Sequence, residues 1–188
     1  MYTVYHVRDV VRIPPEFFGL PLEEAALRVL TDRYVGTVHP DMGVIVAIFN
    51  VKVSEEGRIL PGDGATYHDS EYDVLAFNPR VKEVLEGTVV NAVNYGLWVN
   101  VGPVEGIVHI SQLMDEHVRF DPQRRAFIGE RTGRVIEVGD VVRARVVSVS
   151  MSGMVGRPRL QLTMRQPYLG KIEWYRKKSG EAKAAENV

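Results

Sequence analysis

The chain has 188 residues, 23 Lys and Arg against 24 Asp and Glu, and no cysteine. That length accommodates two small domains with modest cores, and the missing cysteines exclude thiol catalysis, thiolate zinc sites and disulfides. The net charge of −1 hides a division, because residues 1–81 carry 7 basic against 12 acidic side chains and residues 82–188 carry 16 against 12. The second half is therefore the better candidate for a polyanionic partner.

Tyr2 to Ile13 is β-branched and aromatic enough for a long strand, stopped by Pro14-Pro15, which removes two ladder donors. A helix follows: Pro21 suits its start, Leu22, Ala26, Val29, Leu30 and Tyr34 recur at helical spacing, and Glu23 and Glu24 favour its positive end. Gly36 is a plausible stop. Two strands, Gly43 to Ser54 and Ala65 to Phe77, are expected next, joined by a loop holding Glu55-Glu56-Gly57 and Pro61-Gly62-Asp63-Gly64. Val44 to Phe49 is almost uniformly apolar, which predicts cover on both faces, supplied by the helix, by the second half or by a partner.

The second half reads as short alternating strands with glycine-marked turns. In Gly87 to Gly102 the period of two puts Leu97, Val99 and Val101 inside, and Trp98 and Asn100 outside. The next strand puts Val108 and Ile110 inside, and Ile107 and His109 outside. Val142, Ala144 and Val146 face in while Arg143 and Arg145 face out; Leu160, Leu162 and Met164 face in while Arg159, Gln161 and Thr163 face out. Such strands fit a small closed barrel, which has no unpaired edges. Exposed flat rings suit the stacking of unpaired bases, and outward guanidinium groups suit phosphate. Each group has a plainer role: Tyr95 as rim cover, Trp98 packed beneath the 114–138 connection, His109 bonded to its own turn, Arg159 as a solvated charge.

Catalytic chemistry is poorly represented. The five histidines show no close metal-ligand spacing, and no Gly-x-x-x-x-Gly-Lys loop is present. His68-Asp69-Ser70 carries the three letters of a hydrolase triad, but neighbours on a strand point to opposite faces. Asp63 and Asp140 are isolated carboxylates at turns. No catalytic site, metal or cofactor is expected. No stretch approaches the roughly 20 apolar residues of a membrane span, and Met1-Tyr2-Thr3 does not begin a signal peptide, so a cytoplasmic protein is expected.

The order Tyr95-Gly-Leu-Trp-Val99, Glu105-Gly-Ile-Val-His-Ile-Ser111, Val138-Gly-Asp-Val-Val142 and Arg159-Leu-Gln-Leu-Thr163 resembles the OB-fold RNA-binding domain of the S-one type, from about Lys82 to Tyr168. The resemblance implies an RNA face on Tyr95, Trp98, His109 and Arg159; the family's acidic position falls on Ser150 and is unmatched. The connection from 114 to 138, with Arg119, Arg124, Arg125, Arg131 and Arg134, is longer than in the short form of the domain. The start Met1-Tyr-Thr-Val-Tyr5, Val38-His-Pro-Asp-Met-Gly43, Pro61-Gly-Asp-Gly-Ala-Thr-Tyr67 and Tyr72-Asp-Val-Leu-Ala-Phe-Asn-Pro79 are similar to the E-prime family of archaeal RNA polymerase subunits, the counterparts of the seventh subunit of eukaryotic RNA polymerase II.

That resemblance implies an α+β chain. Residues 1–80 would be a small tip domain of antiparallel sheet plus helix, RNP-like; residues 81–170 a five-stranded OB-fold barrel; residues 171–188 a solvated tail in which Arg176, Lys177 and Lys178 can touch phosphate. It further implies a non-catalytic stalk component of DNA-directed RNA polymerase that forms a heterodimer with the small helical F-type polymerase subunit and docks on the polymerase core near the clamp. The docking loops would be His39, Pro40, Asp41, Met42 and Gly43, and Pro61, Gly62, Asp63 and Gly64. Nascent single-stranded RNA would meet Tyr95, Trp98, His109, Arg143, Arg145 and Arg159. The alternatives are a free-standing RNA-binding translation or decay factor on the same barrel, and a structural module whose barrel never touches RNA.

Overall fold

The alternation in Tyr2–Ile13 produces a 12-residue strand, β1, whose Val11 and Ile13 are buried while Tyr2, Val4, His6, Arg8 and Arg12 face solvent. The computed structural model describes residues 1–150 and 158–175, and the chain divides into two units, Met1–Asn78 and Pro79–Val188. After β1 a short 3-10 turn at Pro15–Phe17 leads to helix α1, Leu22–Tyr34, with Pro21 at its N-cap, Glu23 and Glu24 in the first turn and Arg33 in the last. These charges match the two ends of the helix dipole. Gly36 takes φ +83°, a left-handed stop that glycine adopts freely.

β2 (Val38–His39), β3 (Gly43–Ile59) and β4 (Thr66–Phe77) complete a four-stranded antiparallel sheet in the order β1-β4-β3-β2. α1 covers one face, burying Ala25, Ala26 and Leu30 against Val11, Ile13, Ile45, Ile48, Tyr72 and Val74. Two alanines on the packed stripe let the helix axis approach the sheet, and the cavity left by Leu30→Ala would cost roughly 2–5 kcal/mol.

Two expectations change here. Glu55-Glu56-Gly57 lies on β3 and not in a loop: register shifts between Phe49 and Lys52 and between Val53 and Gly57 absorb the extra residues, and Gly57 pairs with His68. The buried His68 ring lies over Gly57, where a Cβ would come within 2.5 Å of it, and its Nδ1 donates to the Ser54 carbonyl at 2.9 Å. Cover of Val44–Phe49 on both faces is incomplete. Ile45 and Ile48 lie under α1 and Val44 is buried, but Ala47 is half-buried and Phe49 is 37 % exposed.

In the second unit β5 (Val84–Val93), β6 (Gly96–Asn100) and β7 (Glu105–His109) form an antiparallel meander. The connection that follows contains β8 (Val118–Asp121), β9 (Ala126–Gly129) and β10 (Val135–Glu137), a separate three-stranded sheet with Phe127 and Ile136 buried and the Phe120 and Phe127 rings 5.0 Å apart. The Glu116 carboxylate ties down its β9–β10 turn by accepting from Arg131 N, Thr132 N and the Thr132 hydroxyl.

β11 (Val141–Ser150) pairs with β5, and β12 (Arg159–Thr163) pairs antiparallel with β11 and parallel with β7. The ring β5-β6-β7-β12-β11 is thereby a closed five-stranded barrel. Val89, Leu97, Val99, Val108, Val142, Ala144, Val146, Leu160, Leu162 and Met164 fill it, none more than 2 % exposed. Ile110 leaves the strand for a 3-10 turn and is half-buried. Thr163, expected outside, is buried because its hydroxyl donates to Gln112 Oε1 at 2.9 Å and the turn covers it.

The expected solvated tail does not begin at 171. β13 (Gly170–Lys171) pairs with Val142 and Arg143, Ile172 N donates to the Val141 carbonyl, and Lys171 bridges Asp140 at 2.7 Å. Burial alone would lower the Lys171 pKa, but Asp140 and then Glu173 together outweigh it and raise it. Arg176, Lys177 and Lys178 lie outside the described residues.

Candidate nucleic-acid interface

Pairing across the barrel lines up one outward row: Asn91 on β5, Trp98 on β6, Ile107 on β7, Gln161 on β12 and Ser148 on β11. Trp98 is half-buried between its cross-strand neighbours Asn91 and Ile107, with part of the ring left to solvent. In the next row β6 and β7 approach so closely at Gly96 and His109 that a Cβ on Gly96 would lie 2.2 Å from the Val108 carbonyl oxygen. That contact, with Ile110 N donating to the Tyr95 carbonyl at 2.9 Å, holds Tyr95 at the rim, 48 % exposed.

His109 caps the 3-10 turn Ile110–Gln112. Its Nδ1 accepts from Ser111 N at 3.3 Å and lies 2.9 Å from the Ser111 hydroxyl. A neutral ring that accepts at Nδ1 carries its proton on Nε2, so the exposed ring offers a donor. Trp98 and His109 thus lie on the outward face of adjacent strands, with Tyr95 exposed at the rim beside Gly96.

The three arginines divide. Arg159 is exposed on β12, opposite Ser150 and level with Glu105, at the end of β7 away from His109. Arg145, opposite Thr163, has no ion-pair partner among the described residues, and its buried Nε has no acceptor. Arg143 stands apart, opposite Glu86 at the far end of β5, and its guanidinium is held by that carboxylate at 2.7 and 3.0 Å. Its charge is locally neutralised, a cross-strand pairing that no local pattern announces. Gln161 was readable from strand parity. Ser148 was not, because the register shift between Val146 and Ser148 breaks the alternation of β11.

The two loops expected to dock together are separated. Pro40, Asp41 and Met42 connect β2 to β3, whereas Pro61, Gly62, Asp63 and Gly64 connect β3 to β4, and β4 spans the sheet between them with 12 residues. At ~3.3 Å per residue that is roughly 36 Å, too far for one tip. His39 belongs to β2, Gly43 to β3, and Met42 packs against the core, while Asn78 reaches the Asp41 carbonyl at the end where the unit stops.

The opposite end is free and apolar: Ile59 is 72 %, Phe18 53 % and Leu60 48 % exposed. Its loop is latched internally. Asp63 accepts from Arg12 Nε and a terminal nitrogen, both at 2.8 Å, from the Tyr67 hydroxyl at 2.7 Å and from Ala65 N at 3.1 Å. Arg12 first, then Tyr67, hold the carboxyl well below the usual range.

The hydrolase letters do not meet: His68 serves Ser54, the Ser70 hydroxyl donates to the Asp9 carbonyl at 2.8 Å, and Asp69 is exposed. Among the described residues no helix is long and apolar enough to cross a membrane.

A helix-backed antiparallel sheet followed by a closed five-stranded OB-fold barrel that turns Trp98 outward defines an α+β protein of two small domains. Comparison with known families agrees on both halves. Residues 8–64 match the SHS2 domain found in the N terminus of Rpb7p/Rpc25p/MJ0397, and residues 78–155 match the S1 RNA binding domain. The DNA-directed RNA polymerase subunit Rpo7 of Saccharolobus shibatae is 51 % identical over 93 % of this chain and 97 % of its own length. Its counterpart in Sulfolobus acidocaldarius is 48 % identical over 97 % and 99 %, and subunit RPB7 of RNA polymerase II in Saccharomyces cerevisiae is 25 % identical over 90 % and 100 %. The chain belongs to the Rpo7 family of DNA-directed RNA polymerase subunits and is a component of that nucleotidyltransferase complex, with the polymerase core as its partner. The archaeal character expected from the sequence fits these Sulfolobus-type relatives.

Proposed function

We propose that this chain contributes no catalytic group, pairs with the small helical F-type polymerase subunit, docks on the polymerase core near the clamp, and guides nascent single-stranded RNA across its barrel in the cytoplasm. The observation that carries the RNA reading is the row through Trp98. A half-buried indole stands on a closed sheet one outward row from His109, with Tyr95 exposed at the rim, and Arg145 and Arg159 on the same barrel are without ion-pair partners among the described residues. Such a surface stacks bases with little sequence preference and draws the backbone by charge.

For docking, the apolar end with Phe18, Ile59 and Leu60 is the better candidate, because the β2–β3 loop is engaged with its own unit and Asp63 is spent on Arg12 and Tyr67. The experiment is binding of a fluorescent single-stranded RNA of about a dozen nucleotides, within an OB footprint of ~4–16, with and without the helical partner. Trp98→Ala is expected to cost roughly 1–3 kcal/mol. Affinity unchanged in Trp98→Ala and in Trp98→Ala/Arg159→Ala refutes an RNA path along this row.

A further inference from the structure

Away from the Trp98 row, the second unit carries a cavity of about 290 Å³ where the 114–138 connection meets the segment after β12. Its rim holds Arg131, Arg134 and Arg165 against Asp115 and Glu116. Both carboxylates are engaged: Asp115 pairs with Arg165 at 3.0 Å, and Glu116 is consumed by the backbone and hydroxyl of the 131–132 turn. Arg131 lies close enough to Glu116 to help lower its pKa but forms no ion pair among the described residues.

Arg134 is presented. Its guanidinium carbon stands 5.0 Å from the centroid of the Trp174 ring, and the same ring is packed against Gly170, where a Cβ would fall 2.8 Å from it. Trp174 is therefore a pedestal for a cation and not an open stacking surface. The open ring is Tyr168, 73 % exposed, with its ring 5.9 Å from that of Tyr175, whose hydroxyl is fixed on the Leu169 carbonyl at 2.6 Å. Tyr168 holds φ +64°, a conformation that non-glycine residues seldom adopt, and strain of this kind gathers at binding sites.

We propose that this cavity is a second subsite for single-stranded RNA, in which Arg131 and Arg134 take a phosphate while Tyr168, exposed between the lining residues Pro167 and Leu169 and outside the cavity itself, stacks one base. Its volume falls just below the ~300–1,000 Å³ of ligand pockets, room for no more than a single nucleotide of a strand. It joins the first site physically. Arg165 N donates to the Thr163 hydroxyl, which donates to Gln112 at the end of the turn that His109 caps. The choice of RNA as ligand rests on the reading of the barrel proposed above; the cavity itself does not.

The test uses the full chain with fluorescent oligouridylates of about twelve and about five nucleotides, bracketed by the ~4–16 footprint of one OB fold. Arg131→Gln/Arg134→Gln is expected to weaken the longer RNA and to flatten its log K against log salt slope by about 0.7, at ~0.7 per phosphate contact on a single strand. The shorter RNA is unchanged. Tyr168→Ala weakens the longer RNA about tenfold with the slope kept, and Arg131→Lys/Arg134→Lys, which keeps the charge, restores the slope if the Gln pair disturbs packing. Longer-RNA affinity and slope unchanged in both the Gln pair and Tyr168→Ala overturn the subsite. Loss in the cavity variants with none in Trp98→Ala leaves the subsite standing and removes the barrel row; the converse removes the subsite alone.

Discussion

Gly96→Ala probes whether the close approach of β6 and β7 is what builds the aromatic rim. The new Cβ would sit 2.2 Å from the Val108 carbonyl oxygen and 3.1 Å from the His109 Cα. The first distance falls 1.2 Å short of the 3.4 Å at which ordinary contact begins. The obstacle is backbone on both counts, so no side chain can rotate away and the strands must part. Overpacking of this kind costs roughly 1–3 kcal/mol, and each kcal/mol lowers Tm by about 4–8 °C in a domain of 60–100 residues. The barrel should therefore melt about 4–24 °C lower by near-ultraviolet circular dichroism. RNA affinity should fall as well, because the opening begins at Gly96–His109 and runs toward Trp98–Ile107. A Tm within about 2 °C of wild type, smaller than the least shift expected, together with unchanged RNA affinity, would refute the claim that this contact sets the rim.

Two further outcomes are expected. Ile59→Glu/Leu60→Glu places two charges on the apolar end of the first unit, so the variant should fold and bind RNA normally yet fail to co-purify with core polymerase; normal incorporation rules that end out as the docking surface. Glu116 has its folded pKa lowered first by the Thr132 hydroxyl and then, against burial, by the Thr132 and Arg131 amides. Its contribution to stability is present above the unfolded value of about 4.3 and lost as pH falls through the lower folded value. The amide resonances of Arg131 and Thr132 should accordingly titrate below that pH and stop titrating in Glu116→Gln. A midpoint at or above the ordinary glutamate value shows that the turn is not held by this carboxylate.

What was legible followed from alternation. The β1, α1, β6, β7, β11 and β12 patterns each assign a buried face, and Leu97, Val99, Val142, Ala144, Leu160 and Leu162 all lie on it. Local patterning fails where the partner is distant or the element is short. β8, β9 and β10 have 4, 4 and 3 residues, too few for a period of two to stand out. Glu55-Glu56-Gly57 has the composition of a loop, yet the hydrogen-bonding demand of β4 keeps it paired through bulges, with Gly57 required beneath His68. Neutralisation of Arg143 by Glu86 is 57 residues distant in sequence. The two proposed docking loops were each recognisable as turns, but their separation follows from the length of β4, which the turns themselves do not encode.

β12 is the element on which the second unit depends most. Five residues close the barrel by pairing with β7 on one side and β11 on the other. Their inward members, Leu160 and Leu162, seal the core, while Arg159 and Gln161 belong to the outer surface. A strand at an open sheet edge could shift register and turn every outward group inward. Pairing on both sides forbids that slip, so Trp98, Gln161 and Arg159 keep their places along the sheet, which would leave little ordering cost for the strand proposed to bind there. Immediately beyond β12, Thr163 locks to Gln112 and Arg165 to Asp115. These two contacts link the end of the closing strand to the arginine-lined cavity, so weakening the closure at Leu162 should loosen both surfaces together.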